Sequence, residues 1–385
     1  MERSQPSGID ILVVGAGIGG LCAAIELDAK GTMCESLRQK MRQFEKWPGV
    51  AERYDENCYK PALSIYTHAV PTSVSRAKLI KLLYDIAVSL GITFSFGQRV
   101  VKYFDDVDGS AAGVFTASGA RHKAELVVAA DGVGSKSSKL ILGNDSRPKS
   151  SGFAVYRVAF PTAIAHRDKE VSNNFPAPTD GSDDSRIYLG PNTHAITIVF
   201  QEITTWLLTH GLIKQTPENT TVDWKLMWRD PKPASETPHT FLPTSANGAT
   251  QAMEDGISLA SCLELAGKDN IPLALRVHNH FLFQCVSCCQ RAGFKNREQW
   301  HHVDLNEARK HPERLAEMTC QWITRHDPEV YAYQNWTKCV GHLLYGAEFV
   351  NTNIPTGYTY KPWTIDELLN AADEGVSVDD EGEWS

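Results

Sequence analysis

The stretch IDILVVGAGIGG, residues 9–20, decides the fold that this sequence predicts. An apolar, β-branched strand leads directly into the spacing Gly-x-Gly-x-x-Gly, and a helical pattern follows. Gly15 permits the tight turn out of the strand, Gly17 lets the backbone approach a pyrophosphate, and Gly20 lets the helix pack close to the sheet. Because the N-terminus of that helix presents partial positive charge, the stretch predicts a dinucleotide site.

A dinucleotide fold of this kind places an acidic residue roughly 20 positions after the first glycine, where it binds the ribose hydroxyls. Glu35 lies 20 positions after Gly15. Residues 32–34 would form the short strand that delivers it. The alternative is a surface glutamate at the start of a charged helix over residues 36–46.

Length and composition are those of a globular protein with two domains. The chain has 385 residues, of which 42% are hydrophobic and 22% charged. Its net charge of −8 is matched by eight acids in residues 362–385, which contain no lysine or arginine. We expect this acidic end to be a solvated tail. The absence of clustered basic charge argues against nucleic-acid binding.

Targeting and metal-binding signals are weak. Residues 1–8 are polar, and no run reaches the roughly 18 apolar residues that span a bilayer. We therefore expect a cytoplasmic protein whose nine cysteines are reduced. Cys285, Cys288 and Cys289 resemble half of a metal site, but no second Cys/His pair follows at zinc-finger spacing. These cysteines and the pair His301-His302 are expected to be structural, so no metal site is predicted.

Periodicity predicts an α/β protein with two regions. Helices are predicted over residues 75–90 and 249–265, and strands over residues 92–96, 113–116, 125–130, 153–160 and 194–200. The last two strands follow a change of character at residue 151 and predict a separate sheet. A capping box at Thr364 and Glu367 predicts the start of a last short helix.

Three further stretches add to the first motif. The sequence LVVAADGVGSK, residues 126–136, carries an apolar strand that delivers Asp131 into a glycine turn. Arg76 begins the helix over residues 75–90, where its guanidinium suits a phosphate. The sequence HTFLPTSANGATQAMEDG, residues 239–256, is a loop of small residues that opens a helix. The N-terminus of such a helix can stabilise the negative charge of a reduced flavin.

Together these motifs resemble the group A FAD-dependent monooxygenases, the salicylate hydroxylase and para-hydroxybenzoate hydroxylase family, and particularly its fungal secondary-metabolism members. The resemblance covers nearly the whole chain. It implies a Rossmann-like FAD-binding domain with an inserted mixed-sheet substrate domain and a helical C-terminal segment. The expected boundaries are residues 1–150 and 236–300 for the two parts of the FAD-binding domain, 151–235 for the substrate domain, and 301–385 for the helical segment with its acidic tail.

The resemblance also assigns cofactor-binding residues. It implies that the ADP and ribityl parts of FAD are held by Gly15, Gly17, Gly20, Glu35 and Arg76. It places Asp131 in a motif shared by FAD and NADPH handling, and Pro243, Gly248 and Ala249 against the flavin ring. The family has a Gly-Asp pair before the proline loop, and here Glu236 stands where that aspartate, a ribityl contact, is expected.

Tyr156 and Arg157 are the candidate catalytic residues, since in such enzymes this strand often lines the pocket above the flavin. Arg157 would bind a phenolate or carboxylate, or protonate the leaving flavin alkoxide, and a structural ion pair is the alternative. Successive strand residues face opposite ways, so Tyr156 either adjoins Arg157 in the pocket or is excluded from it.

The resemblance implies an oxidoreductase in which NADPH or NADH reduces FAD, and O2 then hydroxylates or epoxidises a small, electron-rich aromatic substrate. The altered region around Glu236 motivates an alternative, a non-catalytic relative that keeps the fold for ligand or partner binding. A nicotinamide-only oxidoreductase would explain the first motif but not residues 239–256. The sequence assigns no oligomeric state.

Overall fold

The structure, a computed structural model, describes residues 7–31, 76–106, 112–132, 135–137, 139–140, 149–179, 184–190, 193–211, 223–226, 247–301, 321–364, 367–368, 371 and 381–384. Its helices are α1 (Ile18–Gly31), α2 (Arg76–Ser89), α3 (Thr162–Ala165), α4 (Lys169–Asn174), α5 (Gly248–Ala266), α6 (Ile271–His301), α7 (Gln321–Thr324) and α8 (Pro328–Tyr345). Its strands are β1 (Ile11–Val14), β2 (Val100–Asp105), β3 (Ala112–Thr116), β4 (Arg121–Ala124), β5 (Leu126–Ala129), β6 (Lys149–Pro161), β7 (Asp184–Gly190), β8 (Thr193–Val199), β9 (Ile203–Gly211) and β10 (Asp223–Leu226).

The described strands form three sheets. β1 pairs with β5 in parallel, β2, β3 and β4 form an antiparallel sheet, and the third sheet has the order β10-β6-β9-β8-β7. Every described pairing in this five-stranded sheet is antiparallel. The expected mixed sheet is therefore not what these strands form. Short connections such as residues 200–202 between β8 and β9 force neighbouring strands to reverse direction.

Most predicted elements that fall on described residues are confirmed, and one is not. The short strand expected at residues 32–34 and the alternative helix at residues 36–46 lie outside the described residues. The helix predicted over residues 75–90 is α2, and the helix predicted over residues 249–265 is α5. The strand predicted over residues 92–96 is wrong, because this segment forms no ladder. Phe94 and Phe96 instead stack on each other and lie against Tyr84 of α2. Their apolar alternation serves packing on a helix rather than a sheet.

Helices α1 and α5 cross at unusually close range through small residues. A Cβ atom added to Gly19 would lie 3.2 Å from the Cβ of Ala252, and one added to Gly256 would lie 2.8 Å from the backbone of Ala23. A step of four residues along α1, from Gly19 to Ala23, moves the contact four residues along α5 in the same direction, from Ala252 to Gly256. The helices therefore run parallel. Both N-termini consequently point in the same direction.

The main core surrounds this crossing. It is built from α1, β5, α5, α6 and α8, with members such as Leu27, Leu263, Val277 and Phe281 almost fully buried. Lys30, at the end of α1, forms ion pairs with Glu264 of α5 and Glu329 of α8. This network ties the C-terminal ends of α1 and α5 to the first turn of α8, away from the N-termini of α1 and α5.

The C-terminal region differs from the solvated tail that its acidic composition predicts. The Trp384 ring is 9% exposed and packs against Trp322 and Tyr358. The Glu383 N–H donates to the Thr356 carbonyl at 2.8 Å. The prediction is therefore wrong for Trp384, whose indole is buried, whereas Glu381 and Glu383 are exposed to solvent as expected.

The described part of the C-terminal region contains both helical and non-helical stretches. After α7 and α8, residues 346–364 form no helix. The predicted capping box is confirmed, because the Thr364 N–H donates to Glu367 Oε2 at 2.7 Å and the Glu367 N–H donates to Thr364 Oγ1 at 3.2 Å. Within the described part of the chain, no helix combines the length and hydrophobicity needed to cross a bilayer.

The helix crossing can be tested with one substitution at two sites. We expect G256A to destabilise the protein by about 2 kcal/mol, because its Cβ meets the α1 backbone and the helices must separate. G341A in α8 makes the same change where the nearest atom lies 3.8 Å away, so the higher helix propensity of alanine should stabilise the protein by about 0.5–1 kcal/mol. Urea unfolding of both variants measures the difference. Equal effects would show that the crossing is not tight.

Candidate functional site

The first two glycine motifs meet at the carboxyl ends of β1 and β5. Gly15 follows β1 with a φ of 113°, a backbone conformation that favours glycine. A Cβ atom on Gly15 would collide with the carbonyl group of Ala130, which follows β5. The parallel pairing of β1 with β5 thus brings the turn at residues 15–20 against the turn that carries Asp131. This is the edge of a parallel sheet where ligands bind.

Gly17 and Gly20 have opposite surroundings. A Cβ on Gly20 would collide with the carbonyl oxygen of Gly15, so this glycine is needed to close the turn. A Cβ on Gly17 would have no described atom within 4 Å. Gly17 accepts the Leu21 N–H at 3.0 Å and so begins α1, but without a side chain it cannot cap the first-turn amides. Those amides are left for a ligand.

Asp131 carries a second sign of an expected ligand. Its Oδ1 atom is buried and has no hydrogen-bond partner among the described residues. A buried carboxylate oxygen without a partner is costly, and a bound ligand or water is one explanation for it. A ribose or ribityl hydroxyl would supply the missing hydrogen bond.

The N-terminus of α5 completes the arrangement. Asn247 is its N-cap residue, but its side chain accepts no capping hydrogen bond. Since α1 and α5 run parallel in register at Gly19 and Ala252, their uncapped first turns point to the same side of the molecule. We call this region, formed by Gly15, Gly17, Gly20, Asp131, Gly248 and Ala249, the helix-end site. Its two helix N-termini together favour a negatively charged ligand.

Of the other predicted cofactor residues, one lies on a neighbouring helix and three lie outside the described residues. Arg76 is the exposed first residue of α2, and α2 packs along α1 through Leu21, Ala87 and their neighbours. Glu35, Glu236 and Pro243 lie outside the described residues. The structure therefore brings together six of the predicted residues and puts Arg76 on the same body.

A buried polar pair lies one turn into α5, and sequence reasoning missed it. Gln251 and Glu254 are each 1% exposed, and the Gln251 amide donates to Glu254 Oε2 at 2.9 Å. Burial raises the pKa of Glu254 well above its usual range, and the nearby Asp255 and Asp327 add to the shift. The raised pKa favours the neutral form of Glu254, which would leave the positive potential of the α5 N-terminus intact.

The five-stranded sheet has two distinct faces, which its register defines. Tyr156 pairs with Leu208, and Val158 pairs with Trp206. These four side chains, together with Tyr188, make an outer face, and each is 40–54% exposed. The inner face contains Arg157, which pairs with Leu207 and through it with Ile196, and also His194, two residues before Ile196 on β8.

The inner face is the one that faces α6. His194 is 3% exposed, and its Nδ1 lies 2.8 Å from Nε2 of His301, the last residue of α6. Trp300 packs edge-on against the His194 ring with centroids 4.8 Å apart. Arg157 therefore shares the face of the sheet that α6 meets, whereas Tyr156 points the other way. The two residues cannot line the same pocket.

The histidine contact was not predicted, because it joins residues 107 positions apart. The structural role expected for His301 agrees with this contact. Cys285, Cys288 and Cys289 are buried in an apolar cluster, again as expected. Within the ranges that the structure describes, no group of three or more His, Cys, Asp or Glu side chains could hold a metal ion.

Helix α6 extends beyond the N-terminus of α5 and contacts the five-stranded sheet at its last residue, His301. The two helices run antiparallel, since Ser258 contacts His278 and Glu254 lies near Cys289. On these pairings His301 extends beyond Gly248 by 6–13 residues, or on the order of 10–20 Å of helix. The inner face, held by His301, thus lies on the side toward which α1 and α5 both point.

Comparison with known proteins agrees with this geometry. No family model matches the sequence. The chain is 29% identical to the FAD-dependent monooxygenase fsr3 of Gibberella fujikuroi over 473 positions, covering 100% of this chain and 91% of that protein. It is also 29% identical to the FAD-dependent monooxygenase dmxR9 of a Cryptosporiopsis species, with the same coverage.

Two solved structures share the fold. The crystal structure of FqzB matches with a TM-score of 0.71 and 24% identity, covering 92% of this chain and 99% of that one. A salicylate hydroxylase substrate complex matches with a TM-score of 0.57 and 17% identity, covering 84% and 97%. The alignment with fsr3 is longer than this chain of 385 residues, so at least 88 of its positions (473 less 385) have no counterpart here.

Glu254 gives the site a pH signature that can be measured. A raised pKa means that the folded protein retains a proton that the unfolded chain releases above about pH 4.5, so stability falls as pH rises. E254Q stays neutral in both states. We expect its stability relative to the wild type to increase between pH 4.5 and 7.5, by about 1.4 kcal/mol per pH unit below the folded pKa.

Urea unfolding at three pH values measures this difference. E170Q makes the same substitution at an exposed position of α4 and should change stability by less than about 0.5 kcal/mol at each pH. A gap between E254Q and the wild type that does not vary with pH would mean that Glu254 is ionised in the folded protein.

Proposed function

We propose that this chain, which belongs to the group A FAD-dependent monooxygenases, binds FAD at the helix-end site and uses NADPH or NADH and O2 to hydroxylate or epoxidise an electron-rich aromatic compound. The observation that carries the proposal is the convergence of two parallel helix N-termini, without side-chain caps among the described residues, beside an Asp131 oxygen that has no described partner. The named relatives are fungal, and a secondary metabolite is the substrate class we propose.

Each part of FAD has a matching part of the helix-end site. The turn at residues 15–20 and the α1 N-terminus would hold the pyrophosphate, with Gly17 leaving room for it. Asp131 would accept a hydrogen bond from a sugar or ribityl hydroxyl. Gly248 and Ala249 would lie against the ring, where the α5 N-terminus stabilises negative charge. Arg76 and, outside the described residues, Glu35, Glu236 and Pro243 complete the proposed set.

Bound FAD, once reduced, supplies the activation of O2 and the transfer of one oxygen atom to the substrate. The inner face of the sheet would close the substrate pocket on the opposite side and exclude water. Arg157 would bind a phenolate or carboxylate of the substrate, since its guanidinium is a permanent, forked donor. Tyr156 is not part of the proposed pocket, because it lies on the outer face. The five-stranded sheet is thus the proposed substrate domain.

Two glycine substitutions separate cofactor binding from folding. We expect G17A to weaken FAD binding at least tenfold, because its Cβ enters the space left for the pyrophosphate. The apo protein should lose less than about 1 kcal/mol of stability, the usual penalty for this change at a helix N-cap. G20A should destabilise the apo protein itself, because its Cβ collides with Gly15.

Flavin fluorescence titration measures FAD binding, and thermal unfolding of the apo proteins measures stability. An unchanged Kd for G17A would contradict the proposed pyrophosphate position. A wild-type protein that does not bind added FAD would contradict the proposed function as a whole.

Arg157 and Tyr156 provide a matched pair for the substrate pocket. We expect R157M to raise the KM for an acidic or phenolic aromatic substrate at least tenfold, because a charge-assisted hydrogen bond is worth roughly 1.5–3 kcal/mol. Y156F, on the adjacent residue but the outer face, should leave KM within twofold of the wild type. Substrate-stimulated NADPH oxidation and O2 consumption measure both.

Equal effects of the two substitutions would contradict the assignment of the pocket to the inner face. Substrate turnover by the wild-type protein would rule out the non-catalytic alternative that the sequence left open.

A further inference from the structure

β8 spans the gap between two parts of the FAD-binding body and is attached at both ends. At its start, His194 meets His301 at the end of α6. Just after its end, Glu202 accepts from Lys78 Nζ at 2.7 Å, in the first turn of α2. The two attachment points are eight residues apart, which is roughly 26 Å of extended chain. The position of β8 therefore sets where the inner face lies relative to the helix-end site.

The two attachments differ in strength. Lys78 and Glu202 have side chains that are 52% and 59% exposed, and an exposed ion pair of this kind contributes little. His194 and His301 are 3% and 4% exposed, so their hydrogen bond is shielded from water and costly to lose. The edge-on contact of Trp300 adds to this end. The histidine pair is the firmer of the two attachments.

The histidine attachment affects the position of Arg157, the residue proposed to bind substrate. His194 and Arg157 lie on the same face of one continuous sheet, connected through the ladder β8-β9-β6. Helix α6, at the other side of the contact, is embedded through Val277 and Phe281 in the core around α1 and α5. The His194–His301 hydrogen bond thus joins the rigid element that carries the helix-end site to the sheet that carries Arg157.

We propose that the His194–His301 hydrogen bond is a positioning contact, which holds the inner face and Arg157 at working distance from the flavin and so couples reduction of the flavin to substrate oxidation. This inference rests on the proposed function of the helix-end site. In this proposal neither histidine contacts the substrate or the cofactor. The contact needs one N–H donor and one unprotonated nitrogen, which a pair of neutral imidazoles provides.

The test uses the full-length protein and two kinds of variant. H194F and H301F fill the space but remove the hydrogen bond. H194N keeps a polar atom near the position of Nδ1, and H301Q keeps one near the position of Nε2, so these conservative variants should restore the contact in part. H280F makes the same substitution as H301F on α6, beside His342 and Phe349 and away from the sheet, and is the matched control.

The first measurement does not need activity. Hydrogen exchange followed by mass spectrometry should show about tenfold faster exchange over β8 and the last turn of α6 in H194F and H301F. Exchange over β1 and α1 should be unchanged. The double variant should be no worse than either single variant, because both remove the same contact.

The second measurement is kinetic. In H194F and H301F we expect KM for the aromatic substrate to rise about tenfold while kcat changes less than threefold. The fraction of NADPH oxidised without product, recovered as H2O2, should increase. H194N and H301Q should recover much of the loss, and H280F should match the wild type. The Kd for FAD should stay within twofold throughout.

The outcomes separate the two claims. Faster exchange over β8 with unchanged KM and coupling would overturn the positioning role and leave a structural contact only. Loss of FAD binding in H194F would overturn it in favour of a cofactor role. Failure of the wild-type protein to bind FAD would contradict the proposed function instead, and unchanged exchange in H194F would show that the hydrogen bond does not hold the sheet.

Discussion

The close, parallel crossing of α1 and α5 is the constraint on which the rest of the structure depends. It requires glycine or alanine at four contact positions, Gly19, Ala23, Ala252 and Gly256, because any larger side chain would push the backbones apart. The crossing aligns two helix N-termini that are more than 200 residues apart in sequence. Two partial positive charges placed side by side bind a long anionic cofactor more strongly than either helix alone could.

Charge inside α5 is arranged so that this potential survives. An ionised carboxylate close to the N-terminus of α5 would favour the helix but would repel an anionic ligand. Burial raises the pKa values of Glu254 and Asp255 and so disfavours their ionised forms in the folded protein. Suppressing these charges would preserve the positive potential at the α5 N-terminus. The network at Lys30 balances Glu264 and Glu329 at the opposite end of the same helices.

Local features of this protein could be predicted from sequence, and long-range contacts could not. The strand, turn and helix around Gly15 follow from adjacent residues, and so does the opposite orientation of Tyr156 and Arg157. Which of those two faces α6 depends on register across three strands. The contact between His194 and His301 has no local signal at all. The burial of Trp384 could not be predicted from composition, because composition describes only the average solvation of the acidic tail. Its burial depends on contacts with Trp322 and Tyr358, which are distant in sequence.

The way these elements are joined explains how the chain keeps the arrangement while at least 88 positions of a full-length relative have no counterpart in it. Each step from the helix-end site to the five-stranded sheet is a direct contact between described residues. Gly15 touches Ala130, α1 touches α5, α5 is hydrogen-bonded to α6 at Ser258, and α6 is hydrogen-bonded to β8 at His301. None of these steps passes through a connecting loop. Loop closure depends only weakly on loop length, so connections can shorten without moving the elements, provided that the shorter chain still spans the gap.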